Sequence, residues 1–497
     1  MSSFQRRFGL LFLLSTSGYL LSFGNQLVIS HYFGTSQALE SYWALLAIAN
    51  LLVFYVQPLR EALVLPVYTA TGADREHASA LFSAGLAAQS LMALASMALF
   101  LLAPTSVLAR LGVSESISAG LWLGLLPYFL LFGLAETCNG LLLSFNRVVY
   151  QSVARLASAS IGLTCLWLLA GRIGVLALVL SLLITQLVTL LVSVIALKKE
   201  GMRLVWRGFT PLWRESRFRS VFSSLLFIYM LAQMYVVCER TIMMGMMPGL
   251  VASYQYSVSL VNVLISVLSF PLANLLWSRF LVQCEGDGVD AMLHAAARVV
   301  APLTLVLLAC GAFAECFASE IVQLLFARGS FDAASVVHTS EALKATVFAA
   351  VPVSLFTIFG KVLLSQGRAR AMATAGAAIA LSGMAVVLLA GELGSVALVQ
   401  WHWAIGNSFG LCVMLFSLLR LTTQPAHNVR VALVWLLRAT VVVLLAVWVT
   451  PPVADHSSVL GVLTGLIFSF ALYGASLLVL AKLAGILDLR QIMGLQR

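Results

Sequence analysis

Charged side chains stand inside long apolar stretches of this 497-residue chain: Arg60, Glu61, Glu136, Arg155, Lys361 and Arg438 toward one side of the stretches, and Glu40, Glu239, Arg240, Glu341 and Lys344 toward the other. A charge within a membrane-spanning stretch is costly, so each marks a candidate functional group. Guanidinium groups donate forked hydrogen bonds and stay charged when partly dehydrated, which suits a diphosphate. The competing reading is snorkelling toward the interface, or neutralisation by Glu61 and Glu136. Those two carboxylates are also the candidates for binding a coupling ion. Asn50 and Asn262 suit interhelical hydrogen bonds as well as ligands. Gln400, His402 and Asn407 face either a cavity or a packed interior, with His402 between Trp401 and Trp403 read as structural. Glu341 and Lys344, three apart, are spaced to pair on one helix face. No GxSxG, HExxH, Walker or DxD pattern occurs, and Asp74/Glu76 and Glu285/Asp287 read as solvated loop charges. The seven cysteines show no CxxC or zinc spacing. No catalytic residue, metal or cofactor is therefore expected, and the chain is not read as an enzyme.

The elements that carry these groups follow from composition. Apolar residues make up 61% of the chain and charged ones 10%, with a mean hydropathy of +1.01. A soluble fold is excluded by that balance. A span needs roughly 20 apolar residues, and strands of a membrane barrel would alternate in polarity. Unbroken runs such as Val175–Leu197 demand helices instead. Fourteen apolar runs, from 8–31 to 457–481, predict an all-α polytopic membrane protein with about 14 transmembrane helices. With an inward N-terminus, 20 Lys/Arg fall in the even-numbered connections and termini, and three (Arg110, Arg172, Arg328) in the odd-numbered ones. This is the positive-inside bias, with both termini cytoplasmic. It accounts for the net charge of +10 without a nucleic-acid partner. Arg60, Arg155, Lys361 and Arg438 then fall in the cytoplasmic half of their spans.

Residues 198–218 form a basic amphipathic cytoplasmic linker, with Val205, Trp206, Phe209, Leu212 and Trp213 among its cations. The pattern suits a helix lying on the leaflet, or an ordinary positive-inside connection. The linker separates two related halves, 1–197 and 219–421. Ser41-Tyr42 and Asn50 recur as Ser253-Tyr254 and Asn262, and Leu142-Leu143-Ser144…Arg147 as Leu363-Leu364-Ser365…Arg368. Leu168–Gly174 recurs as Leu388–Gly394 with only two changes, Arg172 by Glu392 and Ile173 by Leu393. Six spans per half give two parallel six-helix bundles, an arrangement in which transporters place substrate between the halves and rock them. Two additional transmembrane helices lie at 430–485.

This organisation resembles the MurJ/MviN branch of the multidrug/oligosaccharidyl-lipid/polysaccharide exporter superfamily. Phe33-Gly34, Glu40-Ser41-Tyr42 and Asn50-Leu51-Leu52 are similar to the family's FG…DAF…NLL series. Asn146-Arg147 matches its NR, and Leu325–Phe331 its LFxxGxF. The resemblance spans nearly the whole chain and implies a groove for the lipid tail at the two extra spans. Three family arginines that line its central cavity are replaced. Asn25-Gln26 stands where the family has Arg-Asp, Val53-Phe54 follows the NLL, and Ser259 aligns with a third arginine. The resemblance thus implies a bacterial inner-membrane flippase for a polyprenyl-diphosphate-linked saccharide, such as an exopolysaccharide precursor, working by alternating access. Lipid II flipping is the alternative, and cation-coupled drug export the second. Substrate candidates are Arg60, Arg155, Asn25, Gln26, Asn50, Ser259, Asn262 and Lys361. Coupling to the membrane potential or a cation gradient stays open, and membrane lipids and polysaccharide assembly enzymes are the candidate partners.

Overall fold

The computed structural model describes residues 3–102, 115–145, 147–205, 207–283, 288–366, 368–422, 425–450 and 459–484; every regular element among them is helical. Arg110, Asn146, Trp206, Glu285 and Asp287, used in the readings above, lie outside the described residues. Helices are what the composition requires, because hydrocarbon offers a backbone N–H or C=O no partner outside its own segment. Among the described residues, eleven helices are long and apolar enough to cross a membrane, and a bent pair makes a twelfth candidate. The other two expected positions also hold helices, Ser3–Phe33 and Pro425–Val449.

The chain divides into two compact units. The first comprises Met1–Ala252 with Val387–Gly394. Its helices are α1 (Ser3–Phe33), α2 (Gln37–Leu52), α3 (Val56–Ala73), α4 (Arg75–Leu101), α5 (Glu115–Gly124) and α6 (Leu126–Leu141), followed by α7 (Val148–Ile173), α8 (Leu176–Lys199), α9 (Thr210–Arg214) and α10 (Ser216–Met246). Helix α7 packs along α1 and α8, and α3 along α4, α6 and α10. Leu59, Leu63, Leu81, Phe82, Leu141 and Leu197 form the core where α3, α4, α6 and α8 meet.

The second unit comprises Ser253–Val386 and Ser395–Arg497. It contains most of α11 (Leu250–Gln283), then α12 (Gly288–Cys316), α13 (Ala318–Phe326), α14 (Ala333–Thr346) and α15 (Ala350–Ser365). Most of α16 (Ala369–Leu393) follows, then α17 (Val396–Leu419), α18 (Pro425–Val449) and α19 (Val459–Leu483). The last two helices pack on each other and on α12 through Leu305, Phe313, Val442, Val443, Leu466 and Tyr473.

Two local expectations change. The apolar run 41–70 reads as one continuous span, but the chain breaks at Val53–Tyr55 and α2 and α3 meet at a 46° bend. Pro58 has no N–H to donate to the Phe54 carbonyl, which ends the ladder there. Between α8 and α10, the described residues of the amphipathic linker form a helix only over Thr210–Arg214. Gly201 and Gly208 both take positive φ (82° and 70°), which a continuous helix does not allow, and Pro211 opens the short helix that follows.

Candidate functional site

Within the first unit, the break after α2 sets the start of α3, which aligns Gln57, Arg60 and Glu61 toward two neighbours. Arg60 Nη1 donates to Glu136 Oε2 on α6 at 2.7 Å, and Gln57 Nε2 lies 3.5 Å from the same oxygen. Arg60 Nη2 is 3.5 Å from Glu61 Oε1, which also accepts from the Tyr229 hydroxyl of α10 at 3.1 Å. The side chains of Arg60 and Glu136 are 27% and 22% exposed, so the pair is half-desolvated and stronger than a surface ion pair. One guanidinium faces two carboxylates, and the cluster carries a net charge of −1.

Gly140 makes this arrangement possible. A Cβ there would lie 2.3 Å from both Cγ and Cδ of Arg60, so the arginine stem runs through the notch that the glycine leaves. Glu136 is one turn earlier on the same helix face, so notch and acceptor come as an i, i+4 set. Gly133 continues this packing: its missing Cβ admits Gln89 of α4, which is fully buried. Asn50 of α2 accepts from the Tyr128 hydroxyl of α6 at 2.7 Å, an interhelical hydrogen bond.

Arg155 lies apart from this cluster. It is exposed on α7, its guanidinium sits 4.6 Å over the Tyr19 ring of α1, and its stem runs beside Gly18. Among the described residues it makes no ion pair. Asn25 and Gln26 are half-buried on α1, and the side-chain oxygen of each is buried with no hydrogen-bond donor among the described residues.

In the second unit, Ser259 returns its hydroxyl to the Tyr256 carbonyl of its own helix at 2.7 Å. Asn262 is exposed on α11, Lys361 is half-buried on α15 and Arg438 is exposed on α18. His402 is fully buried. Its Nδ1 is hydrogen-bonded to the Val399 carbonyl and its Nε2 to the Tyr254 hydroxyl at 3.1 Å, which gives the ring a structural role. Gln400 and Asn407 are buried too, and Asn407 donates to the Trp403 carbonyl at 2.8 Å, so this trio lines packed interior rather than a cavity. Lys344 and Glu341 pair at 2.8 Å.

The loop acids have structural work. Asp74 caps α4, accepting from Glu76 N at 2.8 Å and His77 N at 3.2 Å. The N–H groups of His77 and Glu76 hold its carboxyl below the ordinary 3.8. Asp332 caps α14 in the same manner; the Ser335 hydroxyl and then its N–H lower the Asp332 pKa.

Residue types singled out the charges; their partners Gln57, Tyr19, Tyr229 and Gly140 carried no comparable signal. Gly140 was recoverable only as the residue four after Glu136, and Tyr229 lies 168 positions from Glu61. Among the described residues, no group of His, Cys, Asp and Glu could hold a metal ion.

A polytopic helical bundle with half-buried charges in its spans, and with this topology, belongs to a known class of transporter. A solved lipid II flippase MurJ in an inward closed conformation superposes with a TM-score of 0.76 at 14% identity, covering 95% of this chain and 99% of that one. An inward-facing multidrug resistance MATE transporter of the MOP superfamily gives 0.67 at 14% identity, over 82% of this chain and 94% of that one. A mutant of the Vibrio cholerae MATE transporter VcmN gives 0.64 at 13% identity, over 85% and 99%. These likenesses define the fold. No curated protein matches by sequence. The profile described as lipid II flippase MurJ matches residues 29–469, and the chain belongs to that family. It is a multi-pass membrane transporter and a flippase of lipid-linked precursors, not an enzyme.

Proposed function

We propose that this flippase moves a polyprenyl-diphosphate-linked saccharide other than lipid II, such as an exopolysaccharide precursor. It does so from the cytoplasmic to the periplasmic leaflet of a bacterial inner membrane by alternating access. The observation that carries the substrate reading is at Asn25 and Gln26. Neutral amides with unpartnered buried oxygens stand where the family resemblance expects an Arg-Asp pair. Such oxygens accept from sugar hydroxyls, and the exchange removes the cation that the resemblance expects there for an anionic headgroup. Asn50, Ser259, Asn262 and Lys361 complete the proposed set of substrate contacts.

Arg155 is the proposed first contact for the diphosphate, because among the described residues its guanidinium makes no ion pair and stands over an aromatic face. Arg60 is already paired, so a diphosphate reaches it by displacing Glu136. That exchange leaves a half-buried carboxylate uncompensated, which favours uptake of a proton or cation at Glu136, with Glu61 beside it. Substrate entry and ion coupling are thereby joined in one exchange.

The experiment is rescue of cells depleted of their lipid II flippase, at confirmed membrane levels, paired with flipping of a labelled undecaprenyl-diphosphate saccharide in proteoliposomes. The expected result is no rescue and measurable flipping. Arg155→Ala should reduce flipping about tenfold and Arg155→Lys less, since lysine keeps the charge but loses the fork. The alternative, lipid II itself, is favoured by the profile's description; robust rescue would establish it and remove the exopolysaccharide reading.

A further inference from the structure

The connection between α8 and α10 is a strap laid along the start of α4. Arg203 N donates to Ser79 Oγ at 3.4 Å and Val205 N to Ser83 Oγ at 2.8 Å. Two strap amides thus meet hydroxyls one turn apart on a helix, which holds the strap against α4. The carboxylates around the strap are all engaged. Glu76 pairs with Arg207 and Glu200 with Arg147; Glu215 lies 3.5 Å from His77, and Asp74 caps α4. Lys198, Lys199, Arg203, Arg214 and Arg219 remain exposed, with no ion pair among the described residues. Two large apolar side chains stand exposed beside them, Leu204 at 77% and Trp213 at 59%.

We infer that the strap is a docking surface for anionic phospholipid headgroups of the leaflet on its own side of the membrane. Both of its ends run into spanning helices, α8 and α10, so the strap lies at the bilayer surface whichever side that is. Five cations with no carboxylate to answer them complement a negatively charged leaflet, and Leu204 and Trp213 are suited to the boundary between headgroups and acyl chains. The inference does not depend on which saccharide is carried. A soluble acidic partner would use the same cations but would leave Leu204 and Trp213 in water when the protein is alone in a bilayer.

The test is amide hydrogen exchange of residues 203–215 in the full-length, unmodified protein, held in nanodiscs of phosphatidylcholine alone or mixed with phosphatidylglycerol. Exchange there should slow about tenfold when the anionic lipid is present, and high salt should reverse the effect. In Arg203→Gln/Arg214→Gln/Arg219→Gln the difference between the two lipid mixtures should shrink to under about twofold. Equal exchange of the unmodified protein in both mixtures would overturn the inference. So would a slowing that the triple variant retains in full. If the triple variant does not insert, the two lipid mixtures still decide with the unmodified chain.

Discussion

Gly140 decides where Arg60 ends. The arginine stem occupies the volume of the missing side chain, and this turns its guanidinium back onto Glu136, one turn away. Gly140→Ala should expel the stem and break the pair, costing about 1–3 kcal/mol as an overpacked site does. A double-mutant cycle measures this in thermal unfolding of the detergent-solubilised protein. Glu136→Gln should destabilise the parent and add almost nothing in the Gly140→Ala background. Full additivity of the two changes would show that the notch does not hold the pair. The charges of this cluster were legible in the sequence because an ionisable group in an apolar run stands out. Their arrangement was not, since a notch is an absence of atoms and Tyr229 comes from a distant helix.

At the scale of elements, apolar run length placed the helices, and backbone chemistry decided where they stop. Hydropathy carries no record of a missing N–H, so Pro58 divides a run that averages as one span. The same holds for the linker, where residue types suggest an amphipathic helix and two glycines at positive φ give a strap. Helix α4 illustrates a start signal that was read as mere loop charge. Asp74 caps it, and its depressed pKa means that the ionised carboxylate is favoured in the folded state. A depressed pKa contributes stability above the unfolded value, which is lost as pH falls through the folded one. Protection of the Glu76 and His77 amides, corrected for intrinsic exchange, should therefore decline only below the ordinary carboxyl value of 3.8. Asp74→Asn should keep most of the cap and abolish that acid dependence. A decline that begins well above that value would show that the Asp74 carboxylate does not control it.

For the whole molecule, the family profile reaches from residue 29 to residue 469, so α18 and much of α19 belong to the matched region with the rest. Their packing on α12 through Phe313, Val442 and Tyr473, with the Tyr473 hydroxyl donating to the Ala309 carbonyl at 2.9 Å, ties them to the second unit. Orientation is a separate matter that charge distribution addresses. Twenty Lys/Arg on one side of the expected spans against three on the other favours one direction of insertion. The proposal is that both termini are cytoplasmic, which requires an even number of crossings and an outward loop between α18 and α19. A reporter active only in the periplasm, fused at Asp455, should therefore be active, and one fused after Arg430 silent; a cytoplasm-specific reporter should give the reverse pattern. Arg430 lies in α18 near its start and Asp455 follows α18 in the sequence, outside the described residues, so the fourteen-span reading puts one crossing between them. Equal signals at the two positions would mean that α18 does not cross, and an inverted pattern would place both termini outside. The first outcome would remove the fourteen-span count, and the second would reverse the direction of flipping proposed here.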